Sequence, residues 1–345
     1  MKIAYIVPSL ANKGPVLVVK DLVEQMIKNG QQCSVFYFDD IREVEFNCPV
    51  CRIKFGNKIH FEQFDIVHSH GIRPDGYVFL HKPYKTKTRF VTTLHNYVLR
   101  DFSSQYNRFI AYVFGNLWML LLRRHNKIVT LSQDAMRYYG KWFSDIHLTN
   151  AYNTRNISRK ETLTEDEKKE ITIFKGEDIL IGVNALLTTI KGVDLLIRAL
   201  PQLPGYKLFI AGDGKIKEKL IRMAQQCGVE EQVLFAGYRR NAYRYLGFYD
   251  IYAMPSRSEG FPLAMLEAAN IGIPVVCSDI AIFREIFTPE EVAFFKLEDV
   301  SSLANAIRSA TGNLAMAQRM HQKYQECYSP ERFYQRYISI YQSLL

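Results

Sequence analysis

The chain alternates between two hydrophobic patterns from its first residues. Short runs of apolar, β-branched and aromatic residues predict buried strands, and segments with apolar residues every three or four positions predict amphipathic helices. In the first half, strands or strand ends are predicted at residues 2–10, 32–39, 64–71, 89–96 and 127–132, and helices at 16–30 and 110–125. This alternation predicts a parallel sheet covered by helices.

A polar, charged segment at residues 153–178 interrupts the alternation and predicts a linker with a short surface helix. The pattern then resumes, with strands predicted at 178–186, 206–214, 232–237, 250–256 and 274–279, and helices at 192–203, 216–228, 262–272, 302–313, 314–328 and 331–345. We therefore predict an α/β protein of two Rossmann-like, doubly wound domains facing an interdomain cleft. The first comprises residues 1–160 joined by the C-terminal helix 330–345, and the second comprises residues 161–329. Ligands of such sheets bind at the carboxyl ends of the strands, which predicts an active site in the cleft.

Length and composition agree with two soluble domains. The 345 residues exceed what one core usually holds, and 48% hydrophobic with 23% charged residues is typical of globular proteins. The chain opens with a strand pattern instead of a signal peptide, and its longest apolar stretch, residues 109–122, is shorter than a bilayer span. The C-x-x-C at 48–51 has no second ligand pair nearby. These features predict reduced thiols and a cytoplasmic location.

The net charge of +9 is concentrated in the first half. Residues 1–150 hold 20 basic and 12 acidic residues, whereas residues 151–345 hold 24 and 23. Cations mix with aromatic residues at 81–90 and 106–125, which suits a surface helix facing anionic lipid; a core helix beside a basic loop is the alternative. A nucleic-acid-binding protein would also explain the charge, and would predict base-stacking aromatic residues along this patch.

Two carboxylates stand out in the apolar segment 255–279. Glu259 lies in a loop after the strand 250–256, and Glu267 lies in a helix predicted to start near Pro262 and end at Gly272. The other residues of this helix are apolar on all sides, so a lone carboxylate costs several kcal/mol unless it is hydrogen-bonded. A ligand rich in hydroxyl groups, with phosphates at the helix amino end, would use both carboxylates. The alternative is a solvated loop residue and a helix surface charge.

This segment, SEGFPLAMLEAANIGIPVV, carries an E-x7-E pattern and resembles the signature of retaining glycosyltransferases of family 4, which have the GT-B fold. Three further segments resemble the family in the expected order: a K-G-x-D segment at 190–200, a G-x-G strand end at 208–220, and the strand and loop beside the nucleotide base at 233–240. The resemblance covers most of residues 180–310 and extends more thinly over the N-terminal half. It identifies the chain with the members that build bacterial polysaccharides and other glycans.

The resemblance implies roles for individual residues. Glu259 is implied to contact the transferred sugar, His95 to lie near its anomeric centre, and Lys191 to stabilise the departing diphosphate, which makes these three the catalytic candidates. Glu267 is implied to hold the ribose. The full set of donor-binding candidates is Gly14, Gly212, Tyr238, Arg239, Gly260, Phe261, Leu263 and Glu267.

One position departs from the family pattern. An arginine usually stands five residues before the lysine, but here that position is Leu186, so one phosphate-binding cation is missing. Arg239 or Arg240 is a candidate replacement; alternatively, Lys191 and the helix end act alone.

The sequence gives no sign of a metal site. The strand-end histidines His68, His70 and His95 lack acidic ligands at matching spacing, and the sequence contains no D-x-D pair. A strand-end histidine of this kind is also often structural. We therefore predict neither a metal nor a cofactor.

Together these features predict a metal-independent retaining glycosyltransferase. Its donor would be a nucleotide-diphosphate sugar, UDP- in preference to GDP-, bound by the second domain, and its acceptor a saccharide or polyprenyl-linked saccharide, bound by the first. An anionic membrane surface is a further candidate partner, which would place the protein on the inner face of the cell membrane; no nucleic acid is expected. The alternatives are a sugar-nucleotide epimerase or phosphorylase of the same fold and, less favoured, a basic nucleic-acid-binding protein.

Overall fold

The computed structural model describes residues 1–99, 108–157 and 161–345. The chain divides into two compact units, Met1–Thr154 with Tyr328–Leu345 and Arg155–Cys327. The domain boundary predicted at residue 160 and the start of the basic aromatic stretch, residues 106–107, lie outside the described residues.

The first unit is built on a parallel sheet. Its strands are β1 (Lys2–Leu10), β2 (Gln32–Arg42), β3 (Val50–Arg52), β4 (Ile66–His70), β5 (Arg89–Leu94), β6 (Lys127–Thr130) and β7 (Leu148–Asn150). They run in the order β3-β2-β1-β4-β5-β6-β7. The five predicted strands are confirmed. The strands β3 and β7 were not predicted, because three residues are too few to show a pattern.

Helices cover this sheet, which explains why its central strands β1, β4 and β5 are almost entirely buried. They are α1 (Gly14–Lys28), α2 (Ile72–His81), α3 (Arg108–Leu122) and α4 (Gln133–Tyr139). The sequence did not predict α2, because its buried residues include Pro74, Asp75 and Gly76, which break an apolar helical pattern.

Asp75 is the polar centre of the first unit. It is fully buried, and its carboxylate accepts hydrogen bonds from Ser69 Oγ (2.7 Å), Thr92 Oγ1 (2.8 Å) and Trp118 Nε1 (2.7 Å). These donors come from β4, β5 and α3, so one carboxylate joins four elements. The three donors compensate the hydration that the carboxylate oxygens lose in the core.

The second unit repeats the architecture. Its strands are β8 (Ile179–Asn184), β9 (Tyr206–Ala211), β10 (Val233–Gly237), β11 (Ile251–Met254), β12 (Val275–Ser278) and β13 (Ala293–Phe295). They form a parallel sheet in the order β10-β9-β8-β11-β12-β13. Its helices are α5 (Glu165–Lys175), α6 (Val193–Ala199), α7 (Lys217–Gln226), α8 (Leu263–Ile271), α9 (Ala281–Ile286), α10 (Val300–Ala310) and α11 (Leu314–Lys323).

The helices predicted in this unit are confirmed with ends that differ by up to five residues, whereas α9 and the strand β13 were not predicted. The surface helix predicted in the polar segment is α5, which starts with a capping box between Thr164 and Glu167. Helix α8 ends at Gly272, whose φ of 82° is left-handed, as the predicted C-cap requires. A π-helical turn, Tyr324–Tyr328, leads to the last helix, α12 (Pro330–Gln342), which belongs to the first unit.

Both sheets reverse their strand order at one point, beside β1 and β4 in the first unit and beside β8 and β11 in the second. Connections leave such a pair of strands in opposite directions, so a crevice forms beyond their carboxyl ends. Within the described residues, no helix is both long enough and apolar enough to cross a membrane.

Candidate active site

Two of the predicted catalytic residues meet at the strand-order reversal of the second unit. Lys191 lies in the loop after β8 and Glu259 in the loop after β11, and Lys191 Nζ is 2.7 Å from Glu259 Oε1. The Glu259 side chain is 9% exposed and that of Lys191 is 31% exposed. The carboxylate is therefore mostly enclosed, while the ammonium group is accessible to an anion.

The Glu259 carboxylate is held by its own loop. Ser256 Oγ donates to the same Oε1 at 2.7 Å, and Ser278 Oγ in turn donates to the Ser256 carbonyl at 2.5 Å. Ser278 ends β12, so the next strand of the sheet supports the loop. The sequence alone gave no sign of this support.

Gly260, Phe261 and Leu263 lead from Glu259 into α8. Phe261 is buried, whereas Gly260 and Leu263 are partly exposed. The helix has no side-chain cap and no acidic residue in its first turn. Its amino end therefore keeps a positive electrostatic potential that no nearby carboxylate of the helix neutralises.

Glu267 lies on α8 and forms an ion pair with Arg155, whose Nε is 2.8 Å from Glu267 Oε1. Both side chains are largely buried, at 13% and 8% exposure. Burial raises the pKa of Glu267, while the charge and the hydrogen bond of Arg155 lower it. The interpretation of Glu267 as a solvated helix surface charge is therefore wrong. Arg155 was not singled out in the sequence, where it is one cation in a polar segment.

The ends of β8, β9 and β10 bring Leu186, Gly212 and Tyr238 to one edge of the sheet. A Cβ atom at Gly212 would lie 1.9 Å from the carbonyl oxygen of Ala185, so only glycine fits there. Leu186 and Tyr238 are 64% and 65% exposed, which is unusual for large apolar side chains. A cation at position 186 would face solvent.

Arg239, a candidate for the missing phosphate cation, is committed to another partner. Its Nη2 donates to Glu170 Oε2 of α5 at 2.6 Å, and the Nε of the same side chain is buried without a hydrogen-bond partner among the described residues. Arg240 has an exposed side chain. Lys191 is thus the cation that the structure brings to Glu259.

The predicted residues of the first unit also lie at carboxyl ends of strands. Gly14 is the first residue of α1, in the connection that follows β1. His95 follows β5, and its Nε2 is 2.9 Å from Nδ1 of His70, the last residue of β4. His68 packs 4.2 Å from the His70 ring and hydrogen-bonds to Tyr341 of α12 (2.7 Å) and Thr93 (2.8 Å).

These histidines are neutral at physiological pH. Burial lowers the pKa of His95 to about 3, and burial with the neighbouring imidazoles lowers the pKa of His68 and His70 well below the usual value. A neutral pair shares one proton between His70 Nδ1 and His95 Nε2, which leaves Nδ1 of His95 for a ligand. Among the residues that the structure describes, no group of three His, Cys, Asp or Glu side chains is arranged around a common metal position.

The fold, two parallel sheets each covered by helices, is the GT-B fold. Sucrose-phosphate synthase from Thermosynechococcus elongatus has the same fold, with a TM-score of 0.81 at 17% identity over 99% of this chain and 98% of that one. Anabaena Alr3699/HepE in complex with UDP and glucose gives 0.81 at 17% identity over 99% of this chain and all of the other.

The chain belongs to glycosyltransferase family 4. Residues 164–326 match the family described as Glycosyl transferases group 1, and residues 13–148 match Glycosyltransferase Family 4. The O-antigen biosynthesis glycosyltransferase WclY of Escherichia coli is 34% identical over all of this chain and 99% of its own. A Campylobacter jejuni N-acetylgalactosaminyltransferase acting on a diphospho-undecaprenol saccharide is 29% identical over 64% of this chain and 59% of its own. The protein is a glycosyltransferase.

Proposed function

We propose that this glycosyltransferase moves a sugar from a nucleoside-diphosphate donor to a saccharide or polyprenyl-linked saccharide, with retention of the anomeric configuration and without a metal ion. The second unit would hold the donor and the first unit the acceptor. The observation that carries the proposal is the 2.7 Å contact between Lys191 and Glu259 at the strand-order reversal.

This contact brings together a cation that can stabilise the departing diphosphate and a carboxylate that can bind the sugar. Departure of the nucleoside diphosphate builds negative charge, which the accessible ammonium group of Lys191 and the amino end of α8 would stabilise. The enclosed carboxylate of Glu259 would accept hydrogen bonds from hydroxyl groups of the sugar. Glu267, held by Arg155, would accept those of the ribose, and Tyr238 would offer an apolar surface to the base.

In the reaction, the bond between the anomeric carbon and the diphosphate oxygen breaks as the acceptor hydroxyl oxygen attacks from the same face. The departing phosphate oxygen takes the hydroxyl proton, so no protein nucleophile is needed. His95 would present its neutral Nδ1 to the sugar. Charge neutralisation by Lys191 replaces the role that a metal ion has at a D-x-D pair, which this sequence lacks.

The related proteins support the substrates proposed. HepE was crystallised with UDP and glucose, which supports a UDP-sugar donor. WclY acts in O-antigen biosynthesis and the Campylobacter relative acts on a diphospho-undecaprenol saccharide, which supports a lipid-linked glycan acceptor and a role in polysaccharide biosynthesis.

The test is nucleotide release from a panel of UDP- and GDP-sugars, with and without polyprenyl-linked saccharides, in the presence of EDTA. We expect acceptor-dependent UDP release, a product with the donor's anomeric configuration by NMR, and loss of release in Glu259→Gln. Thermal stabilisation by oligonucleotides and not by nucleotides would contradict the proposal. Release that requires inorganic phosphate, or conversion of the nucleotide sugar with no release, would indicate a phosphorylase or an epimerase.

We also propose that α3 rests on an anionic membrane surface. Its outward face exposes Val113, Phe114, Leu117 and Leu120, each at 44% or more, beside the exposed Arg123. Such a run of exposed apolar side chains is unusual for a surface helix in water. Hydrogen bonds of Arg124 to the Phe79 and Lys82 carbonyls bring the ends of α2 and α3 together. Leu80 in the last turn of α2 is exposed, as are Tyr84, Lys85 and Lys87 in the segment that follows the helix.

Vesicle co-sedimentation tests this surface. We expect the protein to bind vesicles of anionic phosphatidylglycerol more strongly than phosphatidylcholine, and the Leu117→Glu/Leu120→Glu variant to lose most of that binding. Ile173→Glu is the matched control, because Ile173 is 79% exposed on α5 of the second unit. Equal loss in both variants, or equal binding to both lipids, would contradict the assignment.

A further inference from the structure

We infer that Arg257 is a positioning residue that sets the geometry between Lys191 and Glu259. Arg257 lies two residues before Glu259 and forms ion pairs with Asp194 and Glu298. We call Asp194, Arg257 and Glu298 the Arg257 clamp. The inference rests on the proposed function, because it assigns the clamp to the residues that would act on the donor.

The Arg257 side chain uses its entire hydrogen-bonding capacity. Its two Nη atoms each donate to one carboxylate oxygen of Asp194 at 2.9 Å, and Nε and Nη2 donate to the two oxygens of Glu298 at 2.5 and 3.1 Å. Nη1 also donates to the carbonyl of Thr189 at 2.6 Å. A guanidinium group with five satisfied donors has one allowed position, which a lysine could not reproduce.

These contacts join the two loops that carry the catalytic candidates. Thr189 precedes Lys191 in the connection after β8 and Asp194 lies in the first turn of α6, whereas Arg257 belongs to the loop after β11. The backbone N–H of Arg257 also donates to the Ile190 carbonyl at 2.7 Å. The clamp therefore holds the residues on both sides of Lys191 against the residues that precede Glu259.

The loops approach so closely that a side chain is excluded between them. Gly192 follows Lys191 with a left-handed φ of 67°, and a Cβ atom there would lie 1.9 Å from the Pro255 carbonyl oxygen. Because the two backbones are in direct contact, the loops after β8 and β11 have little room to move past each other. The Asp194–Arg257 pair then fixes their register.

The backbone at Glu298 gives independent support. Its φ is 64°, and it is one of two non-glycine residues with positive φ in the described chain. Such a conformation is unfavourable for a residue with a Cβ atom and persists where the surroundings impose it. Both carboxylate oxygens of Glu298 bind Arg257, so the clamp supplies that constraint.

Within the clamp, Asp194 and Arg257 each favour the charged form of the other. Burial opposes ionisation of Asp194, but the hydrogen bonds and charge of Arg257 lower its pKa, and Asp194 and Glu298 raise the pKa of Arg257. The five hydrogen bonds of Arg257 give the clamp a positioning role. Its expected effect is on catalysis, since small errors in the position of a catalytic group reduce the rate strongly while ground-state binding changes less.

The test compares kcat, the Kd for UDP and hydrogen exchange in Arg257→Ala, Arg257→Lys, Asp194→Asn and wild type. For Arg257→Ala we expect kcat to fall by about 100-fold, the scale of a misplaced catalytic group, and the Kd for UDP to change by less than about fivefold. The kcat values of Arg257→Lys and Asp194→Asn should lie between those of Arg257→Ala and wild type. Exchange should accelerate in residues 187–194 and 256–262 together.

Arg284→Ala is the matched control. Arg284 binds Asp279 with the same two-oxygen geometry, at 2.6 and 2.8 Å, in the same unit. The Arg284→Ala variant should have the kcat of wild type and unchanged hydrogen exchange in residues 187–194 and 256–262. Thermal unfolding of each variant gives the folded fraction, by which kcat is corrected.

The inference is overturned if the corrected kcat of Arg257→Ala stays within threefold of wild type. It is also overturned if residues 187–194 and 256–262 exchange hydrogen in that variant at the wild-type rate. If Arg257→Ala does not fold, Arg257→Lys and Asp194→Asn decide by the same criteria. Failure of the proposed function is distinguishable: wild type would then release no nucleotide from any donor, while the exchange comparison would still test the clamp.

Discussion

Replacing Arg155 with methionine tests whether the buried ion pair at Glu267 stabilises the second unit. The change keeps an unbranched side chain but removes the Nε–H that donates to Glu267 Oε1 at 2.8 Å. It also removes the guanidinium group lying 5.8 Å from the Tyr243 ring centroid. Glu267 then keeps a carboxylate that is 13% exposed and has lost its cation.

The expected cost is large because the pair is buried. Removing one partner of a buried ion pair destabilises by about 3–5 kcal/mol, since the remaining charge is left uncompensated. For a folding unit of this size, each kcal/mol lowers Tm by about 2–4 °C, so Tm should fall by about 6–20 °C. Adding Glu267→Gln to Arg155→Met should recover part of the loss, because the amide carries no charge.

The loss should depend on pH. Burial already raises the pKa of Glu267, and Arg155 opposes that rise. Without Arg155 the folded-state pKa moves further above the unfolded value of about 4.3. A folded protein that binds the proton more tightly gains stability as pH falls. The stability difference between variant and wild type should therefore shrink as pH decreases from 8 towards 5.

Guanidinium denaturation at pH 8, 7, 6 and 5 measures these differences. Arg284→Met is the control, because it breaks an ion pair with Asp279 whose partners are each 43% exposed. Such a pair should contribute only about 0–1 kcal/mol. The reasoning is refuted if Arg155→Met costs less than about 1 kcal/mol, if its cost does not change with pH, or if Glu267→Gln recovers nothing.

Three further predictions follow from single contacts. Leu186→Arg should place a phosphate-binding cation at an exposed position and tighten UDP binding by about 10-fold, the lower end for a hydrogen bond to a charged group, whereas Leu186→Gln should not, as measured by calorimetry. His70→Phe should lower kcat by about 10-fold by releasing His95; the kcat profile of wild type should show no His95 inflection between pH 6 and 8, because burial holds that pKa near 3. Asp75→Ala should lower stability by at least about 3 kcal/mol, since three buried donors lose their acceptor; unchanged denaturation midpoints would contradict this.

Much of the architecture was predictable because parallel strands buried on both faces leave near-continuous apolar runs. The strand at residues 2–10 has the predicted bounds, and α8 ends at Gly272 as its left-handed cap requires. The exceptions have local causes. In α2, the buried Asp75 and the neighbouring Pro74 and Gly76 interrupt the apolar pattern.

The sequence by itself determined the order of the longer strands and helices, the fold class and the segments that carry Lys191, Glu259 and Glu267. Only the tertiary structure decided their partners. Arg155 is 112 positions from Glu267, and Lys191 is 68 positions from Glu259. The physical reason is that periodicity records which face of an element is buried, whereas an ion pair depends on which strand ends become neighbours. Strand order, set by packing of the whole sheet, brings the loops after β8 and β11 together.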